Sequence, residues 1–245
     1  MILLEDTRQQ AKKHGYKHEY FLANGITVRR ATLSVGDYQL AGIGNCAVDT
    51  KKDMQELIGN IQFRAPRKSV IENGVAKVRD KYNIPVSQAV SLFEIIWNED
   101  ANRDVEAEIT QYVYRHGLDE GAVKPLCDLY VKRRGRFHRE IVRAQLEGVK
   151  LVFLVENAGS RIKGTKIDTP TIERLEDLHK WVNPRAFIKG VGGKPRYPDA
   201  MRGITLMKAC MTMERKYGCR FEFCKPEDAG ARIMEILNKN MVRVK

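Results

Sequence analysis

The sequence predicts an α/β fold that carries an all-helical insertion, and three observations support this prediction. Short β-prone segments lie near both ends of the chain, at residues 2–4, 26–28, 46–51, 149–155 and 220–223. Segments with apolar residues at helical spacing separate them. No strand signal falls within residues 68–134, where only helical patterns occur. Strands that alternate with helices form a layered α/β domain, so we expect the ends of the chain to build one core.

These patterns divide the chain into three parts. Residues 1–63 form the first part of the core, residues 64–134 form the helical insertion, and residues 135–245 form the second part of the core. The predicted helices of the core cover residues 7–14, 53–63, 136–147, 171–182, 204–217 and 227–239.

The charge of the chain indicates a polyanionic partner. The net charge is +12 for 245 residues. Residues 135–245 hold 23 basic and 13 acidic side chains, whereas the preceding parts are close to neutral. Such a surplus favours nucleic acid over a membrane, because no strongly amphipathic basic helix and no long apolar run accompanies it. Five scattered cysteines point to reduced thiols, and we therefore expect a cytoplasmic protein.

Acidic and basic residues are arranged around one predicted strand in a way that suits metal chemistry. Asp49 and Lys51 are two residues apart, so their side chains leave the same face of the strand. A hairpin at residues 41–45 brings the preceding strand, with Asp37 near its start, alongside that face. Asp6 at the end of the first strand is a third carboxylate. Converging carboxylates favour Mg²⁺ or Mn²⁺, and the backbone carbonyl of Thr50 is a further oxygen ligand.

Each of these features also has a plain structural explanation. Gly36-Asp37-Tyr38 is typical of a turn that leads into a strand, and residues 49–52 are typical of a solvated strand end. Asp6 can cap a helix. The functional interpretation therefore rests on the order and spacing of the residues taken together.

Five segments of the chain resemble the nuclease core of the XPF family, within the PD-(D/E)XK superfamily. They are ILLEDTRQ at 2–9, GDY at 36–38 with VDTKKDMQELIGNI at 48–61, RFHREIVRAQLEGVKLVFLVE at 136–156, and MTMERKYGCRFEFCKPEDAG at 211–230. The last resembles the tail of short bacterial and phage members. The resemblance implies a restriction-endonuclease-like core with a central mixed sheet, and metal-dependent hydrolysis of DNA phosphodiester bonds.

The resemblance also implies roles for individual residues. Asp37 and Asp49 correspond to metal-ligating carboxylates, with Asp6 beside them, and Lys51 corresponds to the catalytic lysine. The sequence departs from the family pattern at Gln9, Thr50 and Gln55, where the family has a glutamate, an arginine and an aspartate. Supporting roles are implied for Arg8, Glu56, Arg136 and Glu140.

Two basic segments in the C-terminal part are predicted to contact DNA. Glycines at 190, 192 and 193 lie among the cations of the second segment and would let the backbone approach phosphates. The predicted DNA-contacting residues are Arg161, Lys163, Lys166, Arg185, Lys189, Lys194, Arg196 and Arg202.

Two functions remain open on the sequence alone. The first is a Mg²⁺- or Mn²⁺-dependent DNA endonuclease that acts on branched, flapped or nicked duplex DNA. The second is a non-catalytic DNA-binding protein that keeps the nuclease scaffold. In either case the insertion at 64–134, whose basic and acidic residues nearly balance, is a candidate surface for a protein partner or a homodimer.

Overall fold

The computed structural model describes residues 1–8, 15–62, 66–98 and 103–240. The chain divides into two compact units. The first unit combines residues 1–61 with residues 147–245, and the second unit spans residues 62–146. In the part of the chain that is described, no helix is both long and apolar enough to cross a membrane.

A mixed sheet of six strands forms the centre of the first unit. Its strands are β1 (Ile2–Asp6), β2 (Thr27–Ala31), β3 (Tyr38–Leu40), β4 (Ile43–Lys51), β5 (Lys150–Glu156) and β8 (Arg220–Cys224). The order across the sheet is β2-β1-β3-β4-β5-β8. β3 pairs antiparallel with both β1 and β4. The parallel pairs are β1 with β2, β4 with β5, and β5 with β8. A separate two-stranded hairpin consists of β6 (Ser160–Arg161) and β7 (Asp168–Thr169).

Four α-helices accompany this sheet. They are α1 (Gly15–Ala23), α2 (Met54–Ile61), α8 (Gly203–Tyr217) and α9 (Ala229–Lys239). Helices α1 and α9 contact each other, and α9 also packs against β4 and β5. Helix α2 packs against β4 and β5, and α8 packs against β8.

The central strand β4 presents different chemistry to the two faces of the sheet. Cys46 and Val48 belong to a hydrophobic core that also contains Leu154 of β5 and Ile233 of α9. Successive side chains of a strand leave opposite faces, so the alternate positions of β4 point away from this core. Those positions include Asp49 and Lys51.

The second unit is helical throughout its described residues. Its helices are α3 (Lys68–Tyr82), α4 (Val86–Trp97), α5 (Val105–Arg115), α6 (Val123–Arg134) and α7 (Arg136–Leu146). Helices α3 to α6 share a core of their own, in which Ile71, Leu92, Ile109 and Leu126 are inaccessible to solvent. The absence of strands among the described residues of 68–134 agrees with the predicted helical insertion.

One boundary between the parts differs from the prediction. The sequence placed the helix at 136–147 in the second part of the core, but α7 falls in the helical unit. The hydrophobic pattern of a helix shows that one face is buried and does not show which neighbour buries it. Most of the predicted helix at residues 7–14 lies outside the described residues.

The predicted helix at 171–182 is wrong for most of its length. The structure has a 3-10 helix at Leu175–Lys180 instead. Leu175, Leu178 and Trp181 are buried, and these positions are three residues apart. A spacing of three places side chains on one line of a 3-10 helix but on diverging sides of an α-helix, which explains why burial selects the tighter form.

Gly203 connects this 3-10 helix tightly to α8. A Cβ atom at Gly203 would lie 2.3 Å from the carbonyl oxygen of Leu178 and 2.5 Å from that of Trp181. Both neighbours are backbone atoms, so neither can rotate away. The start of α8 therefore requires a glycine.

We expect Gly203→Ala to destabilise the protein by about 1–3 kcal/mol, because the added methyl group overpacks a rigid backbone contact. Gly59→Ala is the matched control, since Gly59 lies inside α2 with nothing within 4 Å of the added Cβ. It should stabilise the protein by roughly 0.5–1 kcal/mol. Urea unfolding of both variants measures the difference, and equal free energies of unfolding would contradict the packing argument.

Candidate active site

Asp49 and Lys51 lie side by side on β4, as their spacing predicts. Both are buried, with 5 % and 7 % of their surface exposed. The Lys51 ammonium forms an ion pair with Asp49 Oδ1. Lys51 Nζ also lies 5.5 Å from the centre of the Phe153 ring on the neighbouring strand β5. Lys52 is exposed and directly follows the last residue of β4.

Asp37 is brought against β4 by the turn that precedes β3. The Asp37 N–H donates to the carbonyl of Val48 at 2.8 Å. Gly36 adopts a φ of +71°, and a Cβ there would lie 2.9 Å from the Cβ of Ala47. A glycine is therefore needed for Asp37 to approach β4 this closely.

Thr50 fixes the Asp37 carboxylate through two hydrogen bonds. Its backbone N–H donates to Asp37 Oδ2 at 2.8 Å, and its hydroxyl donates to the same oxygen at 2.7 Å. The other carboxylate oxygen, Oδ1, takes no part in these two bonds. The sequence suggested only the Thr50 carbonyl as a metal ligand and missed this role of the side chain. No local pattern reveals a bond between side chains 13 residues apart.

The charges of this group are strongly coupled. Burial and the nearby Asp49 carboxylate raise the pKa of Asp37 to about 6, against the opposing effects of the Thr50 hydrogen bonds and the Lys51 ammonium. Two buried carboxylates near each other disfavour the state in which both are ionised. A further cation near Asp37 and Asp49 would favour that state.

Asp6 is buried at the end of β1, and its carboxylate contacts Arg8. Its backbone N–H donates to the carbonyl of Asp37 at 2.9 Å. Its carboxylate accepts from the backbone N–H of Arg8 at 3.0 Å and from Arg8 Nε at 2.7 Å. Within the described residues, no group of three or more His, Cys, Asp or Glu side chains is arranged to hold a metal ion. The Asp6 carboxylate is thus bound by Arg8 in this structure, and its role as a third metal ligand stays a prediction.

Glu56 caps helix α2, which begins directly after the candidate site. The Asp53 side chain accepts from the backbone N–H of Glu56 at 2.8 Å, and Glu56 Oε2 accepts from the backbone N–H of Lys52 at 3.0 Å. This reciprocal arrangement resembles a capping box. Glu56 thus fixes the start of the helix, and its supporting role at the candidate site stays a prediction.

Gln55 connects α2 to the second predicted DNA-contacting segment. Its side-chain amide donates to Asn183 Oδ1 at 2.8 Å. Asn183 is buried and donates in turn to the carbonyl of Met201 at 2.9 Å. Gln55 therefore holds the base of a basic loop.

The remaining predicted residues are distributed over both units. Arg8 binds Asp6 and also donates to the carbonyl of Leu33 at 2.7 Å. Glu140 lies half-buried on α7 in the helical unit. Gln9 and the side chain of Arg136 lie outside the described residues.

All eight predicted DNA-contacting side chains are exposed to solvent. Arg161 forms a surface ion pair with Asp168 at 3.1 Å across the β6–β7 hairpin. Lys163 and Lys166 lie in the turn of that hairpin. The other five, Arg185, Lys189, Lys194, Arg196 and Arg202, lie in the segment that Asn183 anchors.

The fold and this group of residues define an α/β protein with a mixed six-stranded sheet and a buried acid–lysine cluster at its centre. Comparison of the sequence with models of known families and with curated proteins gave no match.

We expect Thr50→Val to raise the pKa of Asp37 further, because the variant removes a hydroxyl that stabilises the ionised carboxylate. Thr50→Ser keeps the hydroxyl and should leave the pKa nearly unchanged. Carbon-detected NMR titration of the aspartate carboxyl groups in the metal-free protein measures this difference. The same titration curve for Asp37 in all three proteins would show that the hydroxyl does not donate to it.

Proposed function

We propose that the protein is a metal-dependent DNA endonuclease whose active site consists of Asp37, Asp49 and Lys51. One observation carries the proposal. Asp49 and Lys51 are buried as an ion pair on the central strand β4, and the Asp37 carboxylate is buried close enough to Asp49 for the two charges to interact. Buried charges of this kind are costly to a fold, and they concentrate at functional sites. The resemblance to the XPF nuclease motifs assigns the same three residues.

The donor atoms suit a hard divalent cation. Carboxylate oxygens are the preferred protein ligands of Mg²⁺ and Mn²⁺, and one or two carboxylates with water and phosphate oxygens complete a Mg²⁺ site. Burial and the Asp49 carboxylate raise the pKa of Asp37, and a bound cation would oppose both effects by favouring the ionised form. When bound, the metal supplies Lewis-acid polarisation of the phosphate and lowers the pKa of water.

Asp37 and Asp49 would hold the cation, with Thr50 keeping Asp37 Oδ2 in place. Lys51 has a different part, since an ammonium cannot ligate a metal. Its Nζ is held between Asp49 and the Phe153 ring. From there it can donate a hydrogen bond to a phosphate oxygen and offset the negative charge that grows as the bond to phosphorus is cleaved.

The basic surface of the C-terminal part supports DNA as the substrate. The cations there are exposed, and they belong to the same compact unit as the candidate active site. Lys and Arg side chains that neutralise phosphates supply most sequence-independent affinity for DNA. The resemblance favours branched, flapped or nicked duplexes among DNA structures.

Three variants separate metal binding from catalysis. Asp49→Asn should abolish cleavage of labelled branched DNA, by about 100-fold or more, and should also remove the rise in melting temperature on adding Mn²⁺. Lys51→Met should abolish cleavage equally but keep the Mn²⁺-dependent rise, because lysine is not a ligand. Lys52→Met is the matched control, because Lys52 directly follows Lys51 and is exposed, and it should retain both properties.

Other results would redirect or overturn the assignment. Cleavage lost in Lys52→Met but kept in Lys51→Met would shift the active face of β4 by one residue. Wild-type cleavage in all three variants would place the active site elsewhere. Failure of the wild type to cleave branched or linear DNA with Mg²⁺ or Mn²⁺ would favour a non-catalytic DNA-binding protein.

The salt dependence of DNA binding tests the basic surface separately. Each phosphate contact contributes about −0.9 to the slope of log affinity against log salt concentration. Replacing Lys189, Lys194 and Arg196 with alanine should therefore flatten the slope by up to about 2.7. The control replaces three exposed lysines of the helical unit, Lys77, Lys124 and Lys132. An unchanged slope in the first triple variant would exclude this segment from the DNA contact.

A further inference from the structure

The segment from residue 184 to residue 202, which we name the basic arm, forms a tight hairpin. A short 3-10 helix at Pro184–Phe187 leads into it. Lys189 pairs with Pro195 in an antiparallel bridge, and the Arg196 N–H donates to the carbonyl of Ile188 at 2.8 Å. Gly192 and Gly193 both have positive φ values, 69° and 75°, which permit the reversal of the chain.

The basic arm is strongly cationic. It contains five basic side chains and one acidic side chain, Asp199. All five cations are exposed, and in the part of the chain that the structure describes none of them forms an ion pair with a carboxylate. Their charge is therefore available to a polyanion.

An exposed aromatic ring lies among these cations. The guanidinium carbons of Arg185 and Arg196 are each 5.6 Å from the centre of the Tyr197 ring. Tyr197 remains 37 % exposed, and Phe187 and Ile188 in the same arm are 36 % and 43 % exposed. Phosphate contacts alone require no apolar surface, whereas unpaired bases stack on aromatic rings and on arginine planes. The combination distinguishes the basic arm from an ordinary solvated charge run.

The base of the basic arm is fixed close to the candidate active site. Asn183 and Met201 at its two ends are joined by a hydrogen bond of 2.9 Å, and Asn183 also accepts from Gln55. Gln55 is the second residue of α2, four residues after Lys51. The base of the arm is therefore joined to the helix that follows the strand carrying Asp49 and Lys51.

We infer that the basic arm binds a single-stranded stretch of DNA, with an unpaired base stacked on Tyr197 between Arg185 and Arg196 and the flanking phosphates bound by the cations of the hairpin. This inference rests on the proposed function and names the DNA feature that the enzyme recognises. An unpaired stretch is present in flapped and branched DNA and absent from an intact duplex.

Binding measured in EDTA tests the inference independently of cleavage. The probes are a fluorescent 20-mer of dT, a fully abasic 20-mer with the same phosphates, and a 20-base-pair duplex. The wild type should bind dT more tightly than the abasic strand. Tyr197→Leu should weaken binding of dT by about 5- to 150-fold, the range that loss of one stacked base produces, and change binding of the abasic strand and the duplex by less than about twofold.

Two further variants control for the fold of the arm and for nonspecific effects. Tyr197→Phe retains the ring and should bind dT like the wild type. Tyr114→Leu replaces an exposed tyrosine of α5 and should leave all three affinities unchanged. The inference is overturned if the wild type binds the abasic strand as tightly as dT, or if Tyr197→Leu weakens all three probes equally. A protein that cleaves no DNA but shows the expected binding pattern would fail as a nuclease and not as a binder of unpaired bases.

Discussion

The burial of Asp49 and Lys51 on strand β4 is the constraint on which the centre of the first unit depends. An isolated charge in a protein interior costs several kcal/mol, and the pairing of the two opposite charges offsets part of that cost. Their ion pair lets β4 lie inside the sheet between β3 and β5. The alternate residues Cys46 and Val48 are then free to enter the hydrophobic core on the opposite face. Strand β4 thus contributes side chains both to the hydrophobic core and to the candidate site.

The parts of the site that follow from local geometry could be predicted from the sequence. The alternation of a strand is sufficient to place Asp49 and Lys51 on one face together. The position of Asp37 depends on a positive φ at Gly36, which the sequence indicates only as a turn. Its orientation depends on Thr50, and this contact exists only after the hairpin has formed. Tertiary structure is therefore needed to predict the contacts of a site residue, even where the sequence alone is sufficient to predict which residue belongs to the site.

Helix α1 shows why one element of the fold could not be predicted. Its buried positions include Lys17, whereas Leu22 is 83 % exposed, which inverts the pattern expected of an amphipathic helix. Lys17 can be buried because its ammonium lies 2.5 Å from a carboxylate oxygen of Glu156 at the end of β5. That partner is 139 positions away in the sequence. A reading of local hydrophobicity has no access to such a pair, so it cannot distinguish this lysine from a solvated one.

The glutamine at position 55 is likewise explained by the residue that it contacts, Asn183. The proposed resemblance to a nuclease family would place an aspartate at this position. In this protein the neighbouring atom is Asn183 Oδ1, which already accepts the backbone N–H of Arg185 at 3.0 Å. A carboxylate at position 55 would place a second hydrogen-bond acceptor beside Asn183 Oδ1. The Gln55 amide instead donates to Asn183 Oδ1 at 2.8 Å. The departure from the motif is thus the residue type that the base of the basic arm requires.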